Sequence, residues 1–167
     1  DTLNDLLTRV MPSFAYMGIS AAKRKLLLNK AIPKLRADIQ GLPRIKVYAV
    51  PVAFKVLVID LLKNMIYFSD DHNPVIYIGF KSEGTRAFLS FSNNTVISKP
   101  AYELFATGKE GSGHYFKYKA GIRNMKRVLN WPLFSEEMWQ LKLPPYNMLL
   151  KEYKKENLDV GAWLIVF

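Results

Sequence analysis

No cysteine occurs in the 167 residues. That excludes a disulfide-stapled scaffold and any zinc site built on thiolates, and it permits a reducing compartment. Histidine is scarce, with two in the chain. No nucleophile–base–acid set and no cluster of metal ligands can be assembled from so few candidates, so a hydrolase has little behind it. A membrane-spanning run is also missing: "VAFKVLVIDLL" carries Lys55 and Asp60 and is too short to cross a bilayer. The opening "DTLNDLLTRV" lacks the basic start and small-residue cleavage site of a signal peptide. The chain begins at Asp1 without methionine, as a processed or excised segment would. Neither an internal repeat nor a low-complexity linker interrupts it.

Acid is in short supply, and the formal net charge is +10. Eight basic residues lie between Lys23 and Lys46 against one acid, Asp38; six lie between Gly108 and Asn130 against Glu110. Such fields attract polyanions, or simply keep a solvated face soluble. Half the residues are hydrophobic and 13% aromatic, which fits a folded single domain over residues 1–167 with a sizeable core.

Periodicity supplies the elements. "LNDLLTRVM" is spaced as a helix stopped by Pro12, and "AAKRKLLLNKAI" as a second helix ended near Pro33. "LRADI" alternates as a half-buried strand, with "RIKVYAV" as its partner across a "QGLP" turn. Pro51 suits the first turn of a helix running to about Ser69. "VIYIGF" and "RAFLSF" form a hairpin through "KSEGT". "HYFKYKAGIRNMKRVLN" and "SEEMWQL" read as helices, and "GAWLIVF" as a closing strand. This order predicts a two-layer α/β sandwich with a mixed sheet and helices on one face. It is not a Rossmann pattern, because strand–helix alternation and an early G-x-G-x-x-G are missing.

On the long helix, Asp60, Asn64 and Phe68 are spaced i, i+4, i+8 and form one stripe, while Val58, Leu61, Leu62 and Met65 supply a packing face. A carboxylate and an amide in such a setting need partners. A hard cation carrying phosphate oxygens would serve, and so would a neighbouring loop that they brace. "LFATGKEGSGH" is either a turn or a loop whose backbone N–H groups reach a phosphate.

These two stretches together resemble a family. "DLLKNMIYFS" is similar to the N box of the histidine-kinase ATP-binding domain, approximately N-L-L-x-N-A-x-x-[FY]-[ST]. "LFATGKEGSGH" is similar to its F box and second glycine box. At lower specificity, "RIKVYAVPVAFKVLVI" resembles the strand and entry to the N-box helix, and "GAWLIVF" the closing strand. The resemblance implies a Bergerat (GHKL) sandwich of the kind shared with gyrase-like ATPases, with ATP and Mg²⁺ as cofactors. It implies a cytoplasmic signalling domain with a protein partner, acting as a histidine-kinase-like phosphotransferase or as a pseudokinase.

Carried over by position, Asn64 matches the magnesium-ligating asparagine, and Asp60 holds the box's first position, usually Asn. Phe68 falls where an aromatic packs on adenine. Thr107 and Lys109 match the F-box pair. Gly111 and Gly113, flanking Ser112, match the G-x-G that lets amides approach the phosphates.

Departures are equally specific. The first glycine box, D-x-G-x-G, reads "SNNTVIS": Asn93 stands at the adenine-reading aspartate, and Thr95 and Ile97 replace both glycines. After Gly113, His114, Tyr115 and Phe116 bring bulk where L-G-L is expected. Residues 131–157 have no counterpart. Neither His72, expected in an exposed turn, nor His114 has the H-[ED]-x-[KR] context of a phosphoacceptor, so the chain alone cannot autophosphorylate on histidine.

A reading from a different class is a basic nucleic-acid-binding module. It would use "KRKLLLNKAIPKLR" and "HYFKYK" for phosphate contacts, with Tyr115, Phe116 or Tyr118 for stacking or else facing the core.

Overall fold

The computed structural model describes residues 3–44, 51–95, 99, 102–103, 140–142 and 163–166. Helix α1 (Leu3–Val10) turns Leu6, Leu7 and Val10 into the core. It stops where expected, and a 3-10 helix follows over Met11–Tyr16 with Pro12 in its first turn. Gly18, at φ +67°, redirects the chain. Helix α2 (Ala21–Leu26) then starts on Ser20, whose Oγ accepts from the Lys23 N–H at 3.1 Å.

The helix beyond α2 does not end at Pro33. A π turn over Leu27–Ala31 leads directly into α3 (Ile32–Gln40). Ile32 N–H still bonds Leu27 O across the π turn, and Pro33, which has no N–H to donate, follows where that wider turn has already displaced the i→i−4 ladder. "LRADI" is therefore helix, not strand. Ile32, Leu35 and Ile39 are buried while Ala37 is exposed, which is a 3–4 spacing rather than an alternation. The partner proposed for it, "RIKVYAV", lies outside the described residues beyond Arg44.

Helix α4 (Pro51–Phe68) begins on its proline, as expected. Its inner face presents Ala53, Leu57, Val58, Leu61, Leu62, Met65 and Ile66, all buried. Each fully buried leucine there is worth about 1.5–3 kcal/mol. Strands β1 (Ile76–Glu83) and β2 (Arg86–Asn93) pair antiparallel in the register Ile78↔Phe91 and Phe80↔Leu89. Gly84, at φ +57°, opens the tight turn between them. Ile76, Ile78, Leu89 and Phe91 share one face of this hairpin and join the same core as α1, α3 and α4.

The sheet is completed by β3 (Gln140–Lys142) and β4 (Trp163–Val166) in the order β1-β2-β4-β3. The last of these lies within "GAWLIVF". Every pairing among the described strands is antiparallel, where a mixed sheet was expected. Helices and strands around one core make the chain mixed α/β. No helix among the described residues is long and apolar enough to cross a membrane.

Candidate functional site

Asp60, Asn64 and Phe68 are half-buried along one edge of the core face of α4. Two turns separate Asp60 from Phe68, or about 12 Å along the axis. Asp60 Oδ2 is sealed from solvent and has no hydrogen-bond partner. Burial pushes the carboxyl above the ordinary carboxylate range, and the positive charge of Lys63 opposes that shift. Among the described residues, no group of three His, Asp or Glu could hold a metal ion. A cation on this face would therefore rest on Asp60 and Asn64 and complete its shell with water or ligand oxygens.

The far end of α4 is organised differently. Consecutive carbonyls there each accept from a side chain. Asn93 Nδ2 donates to Met65 O at 3.1 Å, and Ser69 Oγ to Ile66 O at 2.8 Å. Lys23 Nζ donates to Tyr67 O at 2.7 Å and to Ser69 O at 2.5 Å, while the Thr95 hydroxyl donates to Phe68 O. A helix C-terminus leaves its last carbonyls without intrahelical donors, and its dipole favours a cation there. Lys23, 2% exposed, supplies that cation and also meets Asp71 Oδ1 at 3.0 Å.

Beyond the helix, Asp70 Oδ1 accepts the N–H groups of Asn73 at 2.7 Å and His72 at 2.9 Å. These bonds hold its carboxyl below the ordinary range. Asn94 closes the turn by accepting from Asp70 and Val75 and donating to Asn73 O. His72 is exposed in this turn, as expected.

A cleft of about 720 Å³ opens between this turn and the start of α2, lined by Ile19, Ser20, Phe68, Asp70, His72 and Thr95 among others. Phe68 lies on it, with its ring set edge-on to Tyr67 at 4.6 Å between centroids. Asp60 and Asn64 do not line it, so the cleft and the polar stripe are separate features.

Asn93 is placed next to α4, but its amide is turned inward. It is 4% exposed, and its Oδ1 accepts from Thr95 N at 3.1 Å and lies 3.0 Å from Thr95 Oγ1, whose single proton it shares with Phe68 O. Thr107, Lys109, Gly111, Ser112 and Gly113 lie outside the described residues, as do Tyr115, Phe116, Tyr118 and the helix expected over "HYFKYKAGIRNMKRVLN". Of "SEEMWQL", expected as a helix, Gln140 and Leu141 are described and belong to strand β3, paired with β4.

Lys23 is the residue that sequence reasoning missed. It was counted with the basic stretch, yet its i, i+4 spacing to buried Leu27 places it on the core side of the helix. Other members of that stretch are also engaged. Lys34 pairs with Asp38 at 2.6 Å and lies 4.7 Å from the Tyr77 ring centroid, and Arg36 Nη2 meets Met11 Sδ at 3.1 Å. Arg24 has its Nε buried without a partner. Lys25, Lys30, Lys34 and Arg44 are the exposed cations of the stretch among the described residues.

Comparison with family models, curated proteins and solved structures finds no match to this chain.

Proposed function

We propose that the chain is a degenerate histidine-kinase-type ATP-binding domain of the Bergerat sandwich class. It acts in signalling as a weak nucleotide binder or, with catalysis lost, as a protein-binding pseudokinase. One observation supports the reading: Asp60 and Asn64 stand one turn apart, both half-buried on α4, and Asp60 has a buried carboxylate oxygen without a partner. An oxygen pair so placed suits Mg²⁺ shared with a polyphosphate, which keeps most of its shell as water and phosphate oxygens. Asn64 would supply an amide oxygen and Asp60 a carboxylate to the metal or its waters. Lys109 and the amides at Gly111, Ser112 and Gly113 take the phosphate roles that the resemblance implies. Bound Mg²⁺ neutralises phosphate charge, and the chain's own task is to position the nucleotide.

Isothermal calorimetry of the full chain with Mg-ATP tests this. Saturable heat, weakened roughly tenfold or more by Asn64→Ala and by Lys109→Ala, supports nucleotide binding. Absence of both heat and a shift in Tm ends that version and leaves the pseudokinase version, which predicts capture of a protein partner without nucleotide.

A second reading, a basic nucleic-acid-binding module, is favoured by the exposed cations Lys25, Lys30, Lys34 and Arg44 on and after the α2–α3 segment. Its test is the salt dependence considered in the Discussion.

A further inference from the structure

Residues 93–95 read Asn-Asn-Thr, the Asn-x-Ser/Thr pattern that accepts an N-linked glycan. That pattern ordinarily belongs to an exposed loop, but here it ends strand β2 beside the last turn of α4. All three side chains are committed to the fold. Asn93 is buried, and its Nδ2 donates to Met65 O at 3.1 Å. Asn94 Oδ1 accepts from the N–H groups of Asp70 and Val75, and its Nδ2 donates to Asn73 O at 2.7 Å. The Thr95 hydroxyl lies between Phe68 O and Asn93 Oδ1. The cleft that reaches Thr95 is not lined by Asn93.

Glycan transfer joins the asparagine Nδ2 to the anomeric carbon of a sugar carried on a lipid pyrophosphate. The bond from that carbon to the phosphate oxygen breaks, one amide proton leaves, and the lipid pyrophosphate departs. The nitrogen must be reachable, and the hydroxyl that the pattern requires two residues on must be free for the transferase. In the folded chain neither condition holds. After transfer the remaining amide proton can still serve Met65 O, but a sugar ring has to lie where β2 packs against α4, and a filled interior does not absorb that volume. We infer that Asn93 is an N-glycan acceptor only before the chain folds, and that a glycan there and the native fold exclude each other. The same amide has two fates: it braces β2 against α4, or the transferase captures it first and β2 cannot dock.

The experiment presents the full chain to an oligosaccharyl transferase in two ways. In one arm it is translated behind a cleavable signal peptide into microsomes, so that Asn93 meets the enzyme before folding. In the other, the purified folded chain is mixed with the solubilised enzyme and its lipid-linked donor. The expected result is a glycan mapped to Asn93 by mass in the first arm and none in the second. Protease should then cleave the glycosylated chain at least about tenfold faster than chain made in the same microsomes with a competing acceptor tripeptide, which blocks transfer and leaves the sequence unchanged. Transfer to the folded chain overturns the inference, and so does absence of transfer to the nascent chain. Equal cleavage rates of the glycosylated and unmodified chains also overturn it, because the glycan then does not oppose the fold.

Discussion

Lys23 on α2 holds the end of α4 through Ser69: its Nζ donates to the Ser69 carbonyl at 2.5 Å, across 46 residues of chain. The same nitrogen serves Tyr67 O, so one buried ammonium satisfies two carbonyls that the helix cannot. Replacing it with methionine keeps the apolar stem and removes every donor. Lys23→Met is expected to cost about 2–4 kcal/mol in urea unfolding, since two buried acceptors lose their partner. Lys25→Met, at an exposed position one turn-face away, should stay within about 0.5 kcal/mol of the parent. Equal effects of the two would show that Lys23 caps nothing.

Asp71 meets the same ammonium but is mostly exposed, with 75% of its side-chain surface open. Water screens that pair, and an exposed ion pair is typically worth about 0–1 kcal/mol. Asp71→Asn should therefore lower stability by at most about 1 kcal/mol. A loss as large as that of Lys23→Met would mean that the carboxylate, and not the carbonyls, holds the lysine.

Asp60 and Asp70 have opposite pH signatures. Burial raises the Asp60 pKa in the folded chain, so the folded state holds its proton more tightly than the unfolded state does. Its contribution is fully present below the ordinary value of 3.8 and is lost as pH rises through the folded value. Asp60→Asn, read against the parent, should be relatively more stable at neutral pH than at pH about 3. Asp70 is lowered by the N–H groups of Asn73 and His72, so its contribution is present above 3.8 and disappears as pH falls through the folded value. Asp70→Ala should be destabilising at neutral pH and nearer to the parent in acid. Denaturant midpoints across that range measure both, and parallel curves for Asp60→Asn and parent would remove the claim for Asp60.

Gly79 faces Ser90 across the hairpin, and a Cβ at 79 would lie 2.5 Å from Ser90 Oγ. Gly79→Ala is expected to cost at most about 1 kcal/mol, because Ser90 Oγ can rotate away from the new methyl. Ser90→Ala in the same chain removes the obstructing oxygen and should recover much of the loss, a coupling that a double-mutant cycle reads directly. Additive effects would place the strain elsewhere.

For the nucleic-acid reading, Lys25, Lys30, Lys34 and Arg44 are the exposed cations of the described basic stretch. Four phosphate contacts from them give a slope of log K against log salt of about −3 to −4, and contacts from "HYFKYK" would steepen it. Fluorescence anisotropy with a generic oligonucleotide between low and moderate salt measures it. Affinity unchanged over that range would discard the module.

Legibility followed the range of the interactions. Pro51 marked the start of α4, and the 3–4 spacing of its leucines separated a packing face from the Asp60–Asn64–Phe68 stripe, because each of these signals is local. The hairpin was legible for the same reason, with Gly84 in its turn. "LRADI" misled because Leu35 and Ile39 fit both an alternating and an i, i+4 pattern. Only the exposure of Ala37 and the burial of Ile32 decide between them. The inward turn of Asn93 depends on the Met65 carbonyl, 28 residues away, and no comparison of the "SNNT" segment with a glycine-box pattern contains that information.

The capped end of α4 also bears on the order of assembly. Its first turn is specified by its own proline, but its last is held by Lys23, Asn93 and Thr95, at separations of 27 to 46 residues. A peptide covering 51–69 would therefore wind from its N-terminal end and fray at Tyr67 and Phe68, since helix ends without partners are the first to open. In the whole chain that final turn is high-contact-order structure inside a helix: it completes only after α2 and the end of β2 have arrived.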